Sequence, residues 1–401
     1  MDELILRERI GPTETTVLKK ILSQKVEIDM KKPIQHFLSK PNNHLPIIMI
    51  AYNRPHYMKQ SLRSLLNVRG VEKKNIEVIQ DDKNKEVAQV AIDFGIKLKQ
   101  HVQDRTIYGP DPDPGIFIAQ HYSYALRYAF EKNTDAPAII IVEDDLLYSP
   151  DFLEYLEYNS AILEEDESTF LLSAWNDNGQ KNLIRDPYRL HRTEYFPGLG
   201  WLLPRKLYEN ELQKTWPFYH WDHWLRDPVI HKGRYCIYPE VSRTYHIGEY
   251  GTFMNESLHS SLFKNIAYNT DQTIRWSMKS FSSVPSLQIE NKPIKPYWRV
   301  FQSTYESYHF DFISTSIPLI NMDSIEKLKQ TTPVYGTHYM IWYTLSDSFE
   351  PISNYFGIWP DSRRSSYNGI HDFYFHGHHI MLSRVGNSSS DIHLLSHLNS
   401  M

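Results

Sequence analysis

From Leu45 to Leu163 the apolar residues switch back and forth between two spacings, and this restricts the fold more than any other feature of the chain. Pro46-Ile-Ile-Met-Ile-Ala51 and Ala136-Pro-Ala-Ile-Ile-Ile-Val142 are unbroken apolar runs, the pattern of strands buried on both faces. Between and after them the spacing is helical. Met58, Leu62, Leu65 and Leu66 share one helical face, Val87, Val90, Ala91 and Phe94 repeat that spacing up to Gly95, and Ile118, Tyr122, Ala125, Leu126 and Ala129 mark a third helix. Ile76–Gln80 reads as a short strand. Ser149-Pro150 reads as the N-cap and first-turn proline of a helix carrying Phe152, Tyr155, Leu156, Ile162 and Leu163. Such alternation predicts an α/β fold, a mostly parallel sheet with helices on both faces. Ligands of these sheets sit at the carboxyl ends of the strands. Chemistry is therefore expected at Asn53-Arg54, at Asp81-Asp82 and at Glu143-Asp144-Asp145.

The rest of the chain divides by texture. Residues 1–44 are polar and Lys-rich and read as an extension and linker, 45–280 as the α/β domain, and 281–296, with its Pro and Ser, as a linker. Residues 297–385 read as a small α+β domain with strand-like Tyr339–Leu345, a short helix around Phe349–Phe356, and strand-like Phe373–Phe375 and His379–Leu382; 386–401 read as a loose tail. Of the 401 residues 41% are hydrophobic and 23% charged, which excludes a disordered chain. Lys and Arg total 43 against 48 acids, a net charge of −5, so the positive field that nucleic acid binding requires is missing. Neither apolar run approaches the roughly 18 residues of a membrane span. The first ten residues carry acids where a secretory leader is basic, so no secretory address is expected in this sequence. A single cysteine, Cys236, excludes an intrachain disulfide and thiolate metal clusters, which leaves carboxylates and histidines as metal ligands.

Three acids in a row at the end of an apolar strand repel one another unless a cation compensates. Mg²⁺ or Mn²⁺ would do so, taking carboxylate oxygens and completing its shell with substrate phosphates and water. A solvated acidic turn is the plainer account of Glu143-Asp144-Asp145. Asp222 lies in Trp221-Asp-His-Trp224, where desolvation among the rings would raise its pKa and make it a base; a surface helix with two packed Trp residues is the plainer account there. His121 falls on a helix flank, where a packed or surface histidine is usual. Arg54, after a strand, could meet a phosphate or a nucleobase edge. His376-Gly-His-His379 invites a metal reading, but its strand-like surroundings predict exposed, alternating side chains, which leaves it outside the site.

Five motifs occur in one order: Val142-Glu-Asp-Asp-Leu146, Ser173-Ala-Trp-Asn-Asp-Asn-Gly179, Phe196-Pro-Gly-Leu-Gly-Trp-Leu202, Trp221-Asp-His-Trp-Leu-Arg226 and Val241-Ser-Arg-Thr-Tyr-His-Ile-Gly248. Together they closely resemble the β-1,2-N-acetylglucosaminyltransferase family, strongly over about residues 45–270 and weakly over the last block. Asn53-Arg54-Pro55 and Ser242–Gly248 look more like the members that act on O-mannose, whereas Gln80-Asp81 and Asn176–Gly179 look more like those that act on N-glycans. Both acceptors stay open.

The resemblance implies a GT-A fold, Rossmann-like with a mixed sheet. It also implies transfer of GlcNAc from UDP-GlcNAc to the 2-hydroxyl of a mannose on a glycoprotein glycan, with Mn²⁺ and with inversion. Asp145 stands at the family's metal-ligand position. Glu143 and Asp144 match acids that contact the donor, Arg54, Asp81 and His121 match donor-binding positions, and Asp222 matches the catalytic base. Arg243 to about Tyr250 corresponds to a loop that orders over the donor, and on this reading Arg243 brings a positive charge to the diphosphate. The family works in the Golgi lumen and pairs a cysteine matching Cys236 with one in the preceding strand; here Leu171 holds that second place. A transferase-like module that binds a glycan or nucleotide sugar without turnover is the rival reading, and a hydrolase using paired acids is a third.

Overall fold

The computed structural model describes residues 44–276, 317–318, 322–334, 337–344, 349–367 and 369–385. Nearly all of the expected extension, the linker at 281–296 and the tail lie outside them. In chain order the first part runs β1 (Ile47–Ala51), α1 (Pro55–Leu66), β2 (Ile76–Asp81), α2 (Lys85–Phe94), β3 (Lys97–His101), α3 (Pro114–Lys132), β4 (Ala138–Glu143), β5 (Leu146–Tyr148), α4 (Phe152–Glu165) and β6 (Thr169–Ser173). It continues with β7 (Leu190–Thr193), β8 (Trp201–Pro204), α5 (Trp221–Leu225), β9 (Tyr235–Pro239) and β10 (Thr244–His246), with further short helical turns between.

An eight-stranded sheet in the order β3-β2-β1-β4-β8-β6-β9-β7 forms the centre. β1 is buried along its whole length and β4 up to Val142, as the unbroken apolar runs predict, and β2 is buried throughout although it carries Glu77, Gln80 and Asp81. α1 turns Met58, Leu62 and Leu65 inward, and α3 turns Phe117, Tyr122, Ala125, Leu126 and Ala129 inward. The Asn84 side chain caps α2 by accepting from the Val87 amide at 2.9 Å, and Gly95 ends it at φ +67°, a left-handed conformation that glycine adopts without strain.

The sheet is less parallel than its opening suggests. β3, β2, β1 and β4 are parallel, but β8 runs antiparallel to both β4 and β6, and β7 antiparallel to β9. The connections at 174–189 and 194–200 hold Gly179, Pro187, Pro197, Gly198 and Gly200 and no crossover helix. The start of α4 also differs from expectation. Asp151, not Ser149, occupies the N-cap position, and its carboxylate does not cap the helix because it is bound elsewhere.

A second sheet closes the structure: β11 (Ile317–Pro318), α6 (Met322–Leu328), β12 (His338–Thr344), α7 (Phe349–Phe356), β13 (Ser366–Tyr367), β14 (Ile370–Phe375) and β15 (His378–Val385), in the strand order β11-β12-β15-β14-β13. Its core of Ile325, Leu328, Ile341, Phe356, Phe373, Ile380 and Leu382 takes in Leu183 from the first part. The Tyr374 amide donates to the Leu183 carbonyl at 2.9 Å, and Arg189 meets Asp372 at 2.5 Å. The exposed histidines expected at 376–379 are a correction. Only His376 faces solvent; His378 bonds the Leu328 carbonyl at 3.0 Å and His379 meets Asp372 at 2.6 Å, because both faces of β15 are covered.

Candidate active site

β1 and β4 are parallel neighbours with Ile50 opposite Glu143, so the residues that follow each strand emerge at one edge of the sheet. Arg54 therefore reaches the acids after β4. Its Nη2 donates to Asp144 Oδ1 at 2.5 Å and its Nη1 to Asp145 Oδ2 at 2.7 Å. Both aspartates are buried, and among the described residues Asp144 Oδ2 and Asp145 Oδ1 have no hydrogen-bond partner. Burial pushes the Asp144 carboxyl up against the opposing pull of Arg54. At Asp145 burial works the same way, but His246 and Arg54 outweigh it and hold the carboxyl below its usual range. Against the cost of burial, Asp144 and Asp145 in turn keep Arg54 charged.

His246 is a site residue that sequence reasoning missed. β10 pairs antiparallel with β5, His246 opposite Leu146, and this puts His246 Nε2 3.3 Å from Asp145 Oδ2, while Nδ1 is buried and has no partner among the described residues. The only signal was its place two residues before Gly248 in a quoted motif. Gly248 closes on the same carboxylate: a Cβ there would stand 2.4 Å from Asp145 Oδ2. Hard oxygens, two of them buried and unpartnered, beside one imidazole nitrogen form a donor set that suits a divalent cation such as Mn²⁺.

Glu143 connects the acids to the helix of Asp222. Tyr122 Oη donates to Glu143 Oε1 at 2.7 Å, and its ring stacks on Trp221 at 4.0 Å. Trp221 and Leu225 are buried, but the Asp222 side chain is 34% exposed and its Oδ2 accepts from Arg226 Nη1 at 2.6 Å. The desolvated carboxylate expected among the rings is thus replaced by a partly solvated one in an ion pair. α5 points its rings inward and Asp222 off that face. Arg226 is itself fixed by the Phe196 carbonyl at 3.1 Å and by the Tyr195 ring at 4.3 Å.

Asp81 and His121 come together at the end of β2, next to β1. Asp81 Oδ2 meets Arg105 Nη2 at 2.7 Å and Oδ1 accepts from Gln103 at 2.9 Å. His121 Nε2 bonds the Ile79 carbonyl at 3.1 Å and its Nδ1 lies 3.2 Å from His101 Nδ1. A carbonyl partner requires a proton on His121 Nε2, so Nδ1 accepts from His101. Burial pushes His121 down to about 4, which keeps it neutral. Asp81, His101 and His121 are metal-ligand types with atoms within 4.8 Å of one another, but Arg105 already neutralises the one carboxylate among them.

Arg243 is the clear correction. Its side chain has no exposed area; Nε donates to Asp151 Oδ2 at 2.7 Å, and the other nitrogens bond the Val241 and Pro187 carbonyls. A guanidinium enclosed in this way has no free edge for a diphosphate. The stretch expected to close over the donor also starts later than expected, since β10 holds Thr244–His246 and the Ile247 amide still donates to the Asp145 carbonyl at 2.9 Å. Beyond it, the Tyr250 carbonyl accepts from Arg54 Nη1 at 3.3 Å and the Glu249 amide donates to Tyr57 Oη at 3.2 Å.

The sequence matches the GNT-I family over residues 10–392. The chain belongs to that family. It is 30% identical over 334 residues to the alpha-1,3-mannosyl-glycoprotein 2-beta-N-acetylglucosaminyltransferase of Arabidopsis thaliana, covering 81% of this chain and 70% of the relative. Membership in the GNT-I family and the name of this relative support an N-acetylglucosaminyltransferase, and the central sheet is mixed, with parallel and antiparallel strands. Solved structures overlap it in part. The mannosyltransferase PcManGT of Pyrobaculum calidifontis, in complex with GDP-Man and Mn²⁺, has a TM-score of 0.27 at 15% identity, over 45% of this chain and 50% of that one. Residues 1–349 of S. aureus TarS have a TM-score of 0.33 at 13% identity, over 52% and 61% of the two chains. Among the described residues no helix is long and apolar enough to cross a membrane. Leu171, where the family resemblance implies a second cysteine, lies in the same core cluster as Cys236, so apolar packing fills the position.

Proposed function

We propose that this GNT-I family member transfers GlcNAc from UDP-GlcNAc to the 2-hydroxyl of a terminal mannose on a glycoprotein glycan, with inversion and with dependence on Mn²⁺. The observation that carries the reading is the pairing of two unlike carboxylate environments through one ring contact. A buried acid triplet ends β4, Tyr122 links it to Trp221, and a separate, partly solvated carboxylate follows at Asp222.

Asp145, with Asp144 and His246 beside it, would hold the cation. When bound there, Mn²⁺ supplies Lewis-acid neutralisation of a departing diphosphate. Arg54 adds a permanent charge at the same edge, suited to phosphate oxygens. Asp81, oriented by Gln103 and Arg105, and neutral His121 are the groups assigned to the rest of the nucleotide. Arg226 occupies Asp222 Oδ2, and among the described residues Oδ1 has no protein partner, so one oxygen remains to take a proton from an acceptor hydroxyl. A single base at Asp222 corresponds to a single displacement, since a retaining double displacement would need a carboxylate nucleophile as well, by the logic that separates inverting from retaining glycosidases.

Incubation with UDP-GlcNAc, Mn²⁺ and a panel of mannosides tests donor, metal and acceptor together. The name of the Arabidopsis relative puts an α-1,3-mannosyl glycoprotein first on that panel, and an O-mannosyl peptide belongs beside it. The expected product carries β-linked GlcNAc on the mannose 2-oxygen, read by NMR. Donor binding without product on any mannoside would favour the non-catalytic module, and sugar release without a nucleotide would favour a hydrolase.

A further inference from the structure

We propose that Arg54 is the site's own counter-ion, competing with the divalent cation for the strand-end carboxylates, so that nucleotide diphosphate and cation bind with strong mutual help. The inference rests on the reading of Asp145 as cation-holding made above.

Arg54 bridges the two aspartates with one nitrogen on each: Nη2 takes Asp144 Oδ1 at 2.5 Å and Nη1 takes Asp145 Oδ2 at 2.7 Å. Asp145 Oδ2 is also the oxygen nearest His246 Nε2, at 3.3 Å. The corner where a cation would collect both a carboxylate oxygen and an imidazole nitrogen is therefore the corner that the guanidinium fills. The two unpartnered oxygens, Asp144 Oδ2 and Asp145 Oδ1, belong to the same carboxylates, and a cation there still meets a fixed positive charge one carboxylate away. With both aspartates buried, the two charges are less screened than in water and repel more strongly.

Arg54 can change partners. It stands just before Pro55 at the start of α1, makes no helix-capping bond, and its side chain is 26% exposed. A diphosphate offers the guanidinium oxygens at least as good as those it leaves, in a geometry that a planar fork matches. Once drawn onto the diphosphate, Arg54 frees Asp145 Oδ2. Diphosphate then raises cation affinity, and by reciprocity the cation raises diphosphate affinity. The same handover acts on the chain after β10, because Nη1 also holds the Tyr250 carbonyl at 3.3 Å.

The test is calorimetric titration of Mn²⁺ into the full chain, without nucleotide and then with saturating UDP, for the unmodified protein, R54Q, R54K and D145N. If Arg54 competes, R54Q binds Mn²⁺ alone about tenfold or more tightly than the unmodified protein, and UDP improves that affinity by a clearly smaller factor than in the unmodified protein. A residue that only binds donor would leave Mn²⁺ affinity unchanged in R54Q, and that result would overturn the proposal. Should R54Q fail to fold, R54K decides: one ammonium cannot span both aspartates, so Mn²⁺ affinity rises by a smaller factor, and no rise overturns the proposal. If Mn²⁺ binds neither the unmodified protein nor any variant, with or without UDP, the cation reading of Asp145 fails and the proposal with it. Failure of the Arg54 inference alone looks different, since the unmodified protein then binds Mn²⁺ with UDP and D145N does not.

Discussion

Arg243 Nε donates to Asp151 Oδ2 across 2.7 Å, and neither side chain of the pair has any exposed area. Asp151 also accepts from Asn269 at 2.7 Å and from Trp276 Nε1 at 2.8 Å, while Tyr155 and Trp276 lie against the guanidinium. Removing one partner strands a buried charge. R243M or D151N should lower stability by about 3–5 kcal/mol, the usual cost of breaking a buried pair, measured by urea unfolding. Donor affinity of the remaining folded protein should be unchanged. Weaker donor binding at unchanged stability would return Arg243 to the binding machinery.

D145N should remove most of the Mn²⁺-dependent part of UDP binding, because Asp145 is the carboxylate that faces His246 Nε2 and brings one of the two buried, unpartnered oxygens. Titration of UDP with and without Mn²⁺ reads this directly. E143Q should be milder, since it relieves repulsion in a crowded triplet and keeps an acceptor for Tyr122.

D222N should leave UDP-GlcNAc affinity nearly intact and lower turnover by about 10²-fold or more, the range expected for loss of a general base. The amide has almost the same size, and the stacking of Trp221 on Tyr122 does not involve the carboxylate. Comparable losses in donor affinity and in rate would mark Asp222 as structural.

The buried histidines His121 and His371 should weaken the fold in acid, while Asp144, pushed up by burial, works the other way as it protonates. Burial pushes His121 and His371 down to about 4 in the folded chain, against about 6.5 when unfolded. Between those values the unfolded chain binds protons that the folded one refuses, so stability falls as pH drops from about 6.5 towards 4, on the order of 1–3 kcal/mol for each histidine. Below about 4 the loss continues at Asp372, which Arg189 and His379 hold well below the carboxylate range against the effect of burial. Urea midpoints at pH 7.5, 6 and 4.5 for the unmodified protein and H371Q check the sign, and an H371Q profile that falls as steeply as that of the unmodified protein would overturn it.

Legibility in the sequence followed burial and anomaly. β1 and β4 could be read because strands covered on both faces leave unbroken apolar runs, and Glu143-Asp144-Asp145 because three acids at the end of such a run need a cause. The antiparallel half was hidden. Leu190-His-Arg-Thr193 is fully buried yet half charged or ionisable, since Arg192 is matched by Asp166 and His191 by Glu240 from distant segments. Arg243 misled for the same reason, because its partner Asp151 is 92 positions away and nothing local marks an arginine as buried. His246 escaped notice in a three-residue strand too short to show any spacing.

The lone cysteine gives the protein a clock. Cys236 sits in β9 between β6 and β7, and burial pushes its thiol up to about 12. A thiol reagent can reach it only when that part of the sheet opens, and no second sulfhydryl competes for label. In excess reagent the labelling rate therefore counts openings of the sheet, and a bound donor that steadies this region would slow the count without touching the sulfur.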